Sequence, residues 1–147
     1  YAAIPDYLER LAPVPTIYPD GSRALCRILE SWAHWRLEEI VWRFVVPDVP
    51  RQFDDEHERW VFEEMQTLKR GPLELMEARR PEFEADLSAH VDMLEERLAV
   101  QPYLLGDRPS LADFATYGAL FPLEFAGHEL PPRYVAVRRW YRAVAAF

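Results

Sequence analysis

From Ser22 to Val46 the chain contains neither Gly nor Pro, and Leu25, Ile28, Leu29, Trp32, Leu37, Ile40, Val41 and Phe44 recur mostly at three- and four-residue steps. That spacing predicts one long amphipathic helix. "PDVPRQF" ends it. Asp54, Asp55, Glu56 and Glu58 then open a second helix with acids at its positive end, followed by Trp60, Val61, Met65 and Leu68. Gly71 and Pro72 break or kink this helix, and Leu73 and Met76 carry the pattern on. A third helix begins near Pro81 and aligns Phe83, Leu87, Val91, Leu94 and Leu98 on one stripe. A last one begins near Pro132 and aligns Tyr134, Val137, Tyr141 and Val144. No alternating strand pattern and no repeat interrupts the series, so the fold class expected is all-α, a helical bundle.

The totals narrow the function. With 147 residues and 17.3 kDa the chain can bury a core of its own without disulfides or metals. Its 25 acids outweigh 17 scattered bases for a net charge of -8, which argues against a nucleic-acid partner. No apolar run approaches the roughly 18 to 20 residues of a membrane span, so no membrane partner is expected. The lone Cys26 excludes an intramolecular disulfide framework and fits a reducing, cytoplasmic location. Residues 1–19 read differently from the rest. Asp6–Leu11 suits a turn or two of helix, and Pro13, Pro15 and Pro19 suit an extended connector. The expected organisation is the end of a preceding domain and a linker over 1–19, then a helical domain over 20–147.

"GDRPSLADFATYGALF", Gly106 to Phe121, delivers the chain into another helix through a capping box. Ser110 at the N-cap accepts from the backbone three residues on, and the Asp113 carboxylate reaches back to the Ser110 N–H. The helix it opens, Leu111–Phe125, has only Asp113 and Glu124 as charges and is therefore expected at the buried centre of the bundle.

The longer stretch "LEERLAVQPYLLGDRPSLADFATYGALF" resembles the glutathione S-transferase C-terminal domain: an amphipathic helix, a "YLLGD" turn, and a capping-box helix through the domain centre. "DYLERLAPVPTIYPDGSRALCRILESWAHWRLEE" resembles the junction where that family's thioredoxin-like domain gives way to its first long C-terminal helix, and "RYVAVRRWYRAV" resembles its closing helix. The resemblance implies glutathione as co-substrate of the complete protein, no metal, a hydrophobic electrophile as partner, and a homodimer. It also implies that the thiolate-stabilising Ser, Tyr or Cys belongs to the thioredoxin-like domain, so no catalytic residue is expected in this chain.

What the resemblance leaves to these residues is the wall of the electrophile pocket, roofed in that family by the first long helix, the capping-box helix and the C-terminal end. The candidate band on the first helix is Trp32, Trp35, Arg36, Glu39, Trp42 and Arg43. Trp35 and Trp42, seven apart, share a face in a regular helix, and Glu39 lies one turn from both arginines. Tyr117, on a stripe with Phe114 and Phe121, adds a hydroxyl from the capping-box helix. The competing reading of the same residues is ordinary core, subunit interface and surface ion pairs. Asp54 with His57, Glu30 with His34 and Asp86 with His90 have ligand-like spacing but never the repeated Glu-x-x-His of a di-metal bundle. Cys26 has no adjacent His or Lys to activate it. A non-catalytic docking module of the same fold stands as the alternative function.

Overall fold

The structure, a computed structural model, describes residues 3–19 and 21–147. The expected boundary at residues 19–20 thus touches Asp20, which lies outside the described residues, as do Tyr1 and Ala2. The helices are α1 (Ala3–Leu11), α2 (Arg23–Trp32), α3 (Glu38–Val45), α4 (Glu56–Arg70), α5 (Leu73–Ala78), α6 (Arg80–Val100), α7 (Leu111–Phe125) and α8 (Val135–Ala145). A π-turn, Ala33–Leu37, joins α2 to α3 with helical backbone on both sides, so the long first helix is continuous but carries one wide turn. Among the described residues there is no strand, only an isolated bridge between Tyr103 and Gly106.

α7 occupies the centre, packing against α2, the π-turn and α3 on one side and α8 on another, while α6 packs on α3 and α8. Its low charge has the consequence expected. Leu111, Ala112, Asp113, Thr116, Ala119, Leu120, Pro122 and Leu123 are all buried. The α6 stripe Phe83, Leu87, Val91, Leu94 and Leu98 is buried in full and meets Leu37, Val41 and Val45 of the first helix and Val137 and Trp140 of α8.

The capping box closes at the head of α7. Asp113 is fully buried and accepts the Ser110 N–H at 2.9 Å and the Ser110 hydroxyl at 2.7 Å. The same carboxylate accepts the Leu104 N–H at 2.8 Å and the Trp140 indole N–H at 2.8 Å, so one side chain ties the "YLLGD" turn, α7 and α8 together. Gly71 ends α4 with φ +93, where a side chain would be strained, and its N–H bonds the Thr67 carbonyl.

Three features differ from the pattern. α8 begins at Val135, not Pro132, because the Glu95 carboxylate of α6 accepts the Ala136 and Val137 N–H groups at 2.9 Å each and caps the helix there. The connector before α2 is pinned and not extended freely: Tyr18 is buried, its hydroxyl donates to Asp6 at 2.8 Å, and the Ile17 carbonyl accepts the Leu111 N–H at 2.9 Å. Finally, α4 buries no apolar residue. It rests on its Phe62, Gln66 and Arg70 edge, and Trp60, Val61, Met65 and Leu68 face outward.

Candidate functional site

A groove of about 560 Å³ runs between the first long helix and α7. The α7 wall is apolar: Leu111, Phe114, Ala115, Gly118 and Ala119. Small residues at 115, 118 and 119 set the α7 backbone back from its partner, and a β-carbon built on Gly118 meets nothing within 4 Å. The opposite wall comes from α2, the π-turn and α3 and carries Arg27, Glu30, Ser31, His34, Trp35 and Glu38. π-turns of this kind concentrate at functional sites because they re-aim side chains without ending the helix. Here the turn presents His34 and Trp35, whose rings meet edge to face at 4.7 Å. Trp35 is 75% exposed, a large indole held against no core.

The polar groups of the groove are paired with one another. Arg27 Nε lies 3.1 Å from Glu30, and a terminal nitrogen of the same guanidinium lies 3.4 Å from Asp6 of α1. His34 Nδ1 lies 2.9 Å from Glu38 one turn on. The Asp6 carboxyl is held below its ordinary value, chiefly by the Tyr18 hydroxyl and, against its partial desolvation, by Arg23 and Arg27.

The structure divides the band read from the sequence. Trp35, Arg36, Glu39 and Arg43 meet around a second, smaller cleft of about 350 Å³ that opens toward α6, with Arg79, Phe83 and Asp86 on its far side. Of the band, Trp35 alone lines both concavities, as the ridge between them. Arg36 reaches Asp86 with two bonds, at 2.9 and 3.2 Å, and Arg43 bonds Glu39 at 2.9 Å, so neither guanidinium stands ready for a substrate carboxylate. Trp42 lines neither concavity. It is half-buried beside Val46, Met76 and Phe83, with the Arg70 guanidinium 5.6 Å from its ring centroid. Arg70 is itself almost fully buried and bonds Glu39 at 3.1 Å; burial lowers its pKa and Glu39 opposes the shift. Trp32 packs edge-on against His90 at 5.6 Å, and burial, with Arg36 nearby, lowers the His90 pKa. Tyr117 does not line the groove; its ring lies tilted by 38° against that of Tyr141, with centroids 4.6 Å apart. The Tyr141 hydroxyl, raised by burial and by its bond to Glu124, stays protonated.

The residues that do line the larger groove were only partly visible in the sequence. Glu30, His34 and Glu38 succeed one another at four-residue steps along one helix, a row that marks the face turned to α7. Among the described residues no group of three His, Cys, Asp or Glu side chains is placed to hold a metal ion, and no helix is long and apolar enough to cross a membrane.

A comparison with curated proteins gives no match. Residues 77–143 match the family model described as Glutathione S-transferase, C-terminal domain, a stretch that runs from the end of α5 through α6 and α7 and most of α8. The matched segment contains the buried Ser110–Asp113 capping box and the central helix of an all-helical unit. Over residues 77–143 the chain is therefore similar to the glutathione S-transferase C-terminal domain.

Proposed function

We propose that the groove between the first long helix and α7 receives the apolar co-substrate of glutathione conjugation in the complete protein. The observation that carries this reading is the aromatic and small-residue lining itself: Trp35 on one wall, Phe114 with Ala115, Gly118 and Ala119 on the other, around a volume in the range of small-molecule pockets. The chemistry is attack of a glutathione thiolate on the electrophile, and this chain's share is to hold the electrophile flat and dry. The thiolate and its stabilising residue come from outside these residues.

The test is direct binding of an uncharged two-ring aromatic, 2-naphthylmethanol, measured by calorimetry. Gly118→Leu fills the groove without meeting another atom at its β-carbon and replaces a helix-weakening residue, so the fold is expected to hold. Loss of binding in Gly118→Leu with an unchanged melting temperature supports the reading. Binding that persists in Gly118→Leu refutes it.

A second reading, association through the helical surface, is favoured by one observation. The Val61, Met65 and Leu68 stripe and the neighbouring Trp60 on α4 leave a row of apolar side chains exposed, Leu68 by 86%. A homodimer contact or the surface of a docking module would use that row.

A further inference from the structure

The polar half of the groove bears on what charge its ligand carries. Each basic side chain that lines it is engaged with a carboxylate of the same neighbourhood: Arg27 with Glu30 and Asp6, His34 with Glu38. An anionic ligand would find no uncommitted positive partner there and would approach Glu30 and Glu38 at close range. The α7 wall adds an acceptor. Pro122 sits inside the helix, so the Gly118 carbonyl, four residues before it, lacks the N–H that would close its helical bond. Gly118 is exposed on the groove and has no side chain to cover that oxygen. Two carboxylates against the single guanidinium of Arg27, a backbone acceptor and the faces of Trp35 and Phe114 together favour positive charge and hydrogen-bond donors.

We infer that the groove selects flat aromatic co-substrates bearing a positive charge or a hydrogen-donating group, and turns away aryl anions, with Glu30, Glu38 and the Gly118 carbonyl setting the preference. The inference rests on the groove being the co-substrate site, and it goes beyond that reading by fixing the charge of what enters. Glu30 and Glu38 are specificity residues: they act on the ligand through their field and take no part in bond making.

The experiment compares three ligands with one ring system, 2-naphthylmethylammonium, 2-naphthylmethanol and 2-naphthoate, titrated into the full chain at low and at physiological salt. The expected order is ammonium, then alcohol, then carboxylate, with the carboxylate at least about fivefold weaker than the alcohol and the gap narrowing as salt rises. In Glu30→Gln, Glu38→Gln and the double variant the gap between ammonium and carboxylate shrinks. Equal binding of all three ligands, or an order that neither salt nor the Gln variants alter, overturns the charge preference and leaves the groove reading standing. Failure of all three to bind overturns both.

Discussion

The Trp140 indole donates to Asp113 Oδ1 at 2.8 Å between two side chains that are both fully buried, joining the last helix to the capping box of the central one. The bond makes Asp113 more than a local cap. A cap alone contributes about 1 kcal/mol. Asp113→Ala strands the Leu104 N–H, the Ser110 N–H and the indole N–H together, each a buried donor worth about 1 to 3 kcal/mol when left unsatisfied. The expected loss is at least about 3 kcal/mol, read as a fall in melting temperature on the order of 10 °C. Trp140→Phe keeps the ring and removes the donor; it should cost roughly 1 to 3 kcal/mol in the native background and clearly less in Asp113→Ala, a coupling that a double-mutant cycle reads directly.

The two tryptophans seven residues apart are expected to separate binding from stability. Trp35→Ala removes an exposed ring and should shift stability by no more than about 0.5 kcal/mol while weakening 2-naphthylmethanol several-fold. Trp42→Ala opens a hole beside Val46, Met76 and Phe83 and should cost roughly 2 to 4 kcal/mol while leaving ligand affinity intact. Matched thermal melts and titrations on the two variants check both halves.

Asp48 supplies the acid limb of the stability profile. It is buried and accepts from Arg51 at 2.7 Å, Arg80 at 2.6 Å and His128 at 2.8 Å, linking the end of the first long helix, the start of α6 and the loop before α8. Burial pushes its carboxyl up, but the bonds from Arg80 and His128 outweigh burial and hold it below 3.8. A carboxyl lowered by folding stabilises the native state fully above the unfolded value and loses that contribution as pH falls through the folded one. Asp48→Asn is therefore expected to be less stable than the native chain at pH 6, by about 1 to 3 kcal/mol. Denaturant melts from pH 6 downward should show that difference beginning to close only near and below 3.8.

Trp60→Glu and Leu68→Glu address the exposed row on α4. Because Trp60 and Leu68 are both exposed, neither change should lower the melting temperature by more than about a degree or two. If the row joins two copies, light scattering should give a dimer mass for the native chain and a monomer mass for the variants; a monomer mass for both rules out a homodimer contact there.

Much of the fold was legible along the chain, and the failures share one cause. Ser110 and Asp113 marked the start of α7 because a cap is a local device, and the α6 stripe from Phe83 to Leu98 was readable because burial there repeats with the helical period. The π-turn was hidden, since widening one turn changes hydrogen-bond partners without changing residue types. It inserts about one extra residue and rotates the rest of the helix by roughly 100°. Trp35 and Trp42, which a regular helix would place on one face, consequently serve different surroundings. The start of α8 depends on Glu95, and the role of Trp140 depends on Asp113, partners that no local pattern names. The outward face of α4 was unreadable for the same reason: an amphipathic stripe says that a surface is apolar and not what covers it.

Whether the groove between the first long helix and α7 is the co-substrate site is decided most directly by mapping, with two-dimensional ¹H–¹⁵N spectra, where 2-naphthylmethanol binds on the full chain. The largest shifts are expected at the Trp35 indole N–H and at the Ala115, Gly118 and Ala119 amides, saturating together and absent in Gly118→Leu. Shifts gathered instead around Leu120, Leu130 and Tyr141, or along the exposed row of α4, would contradict that assignment.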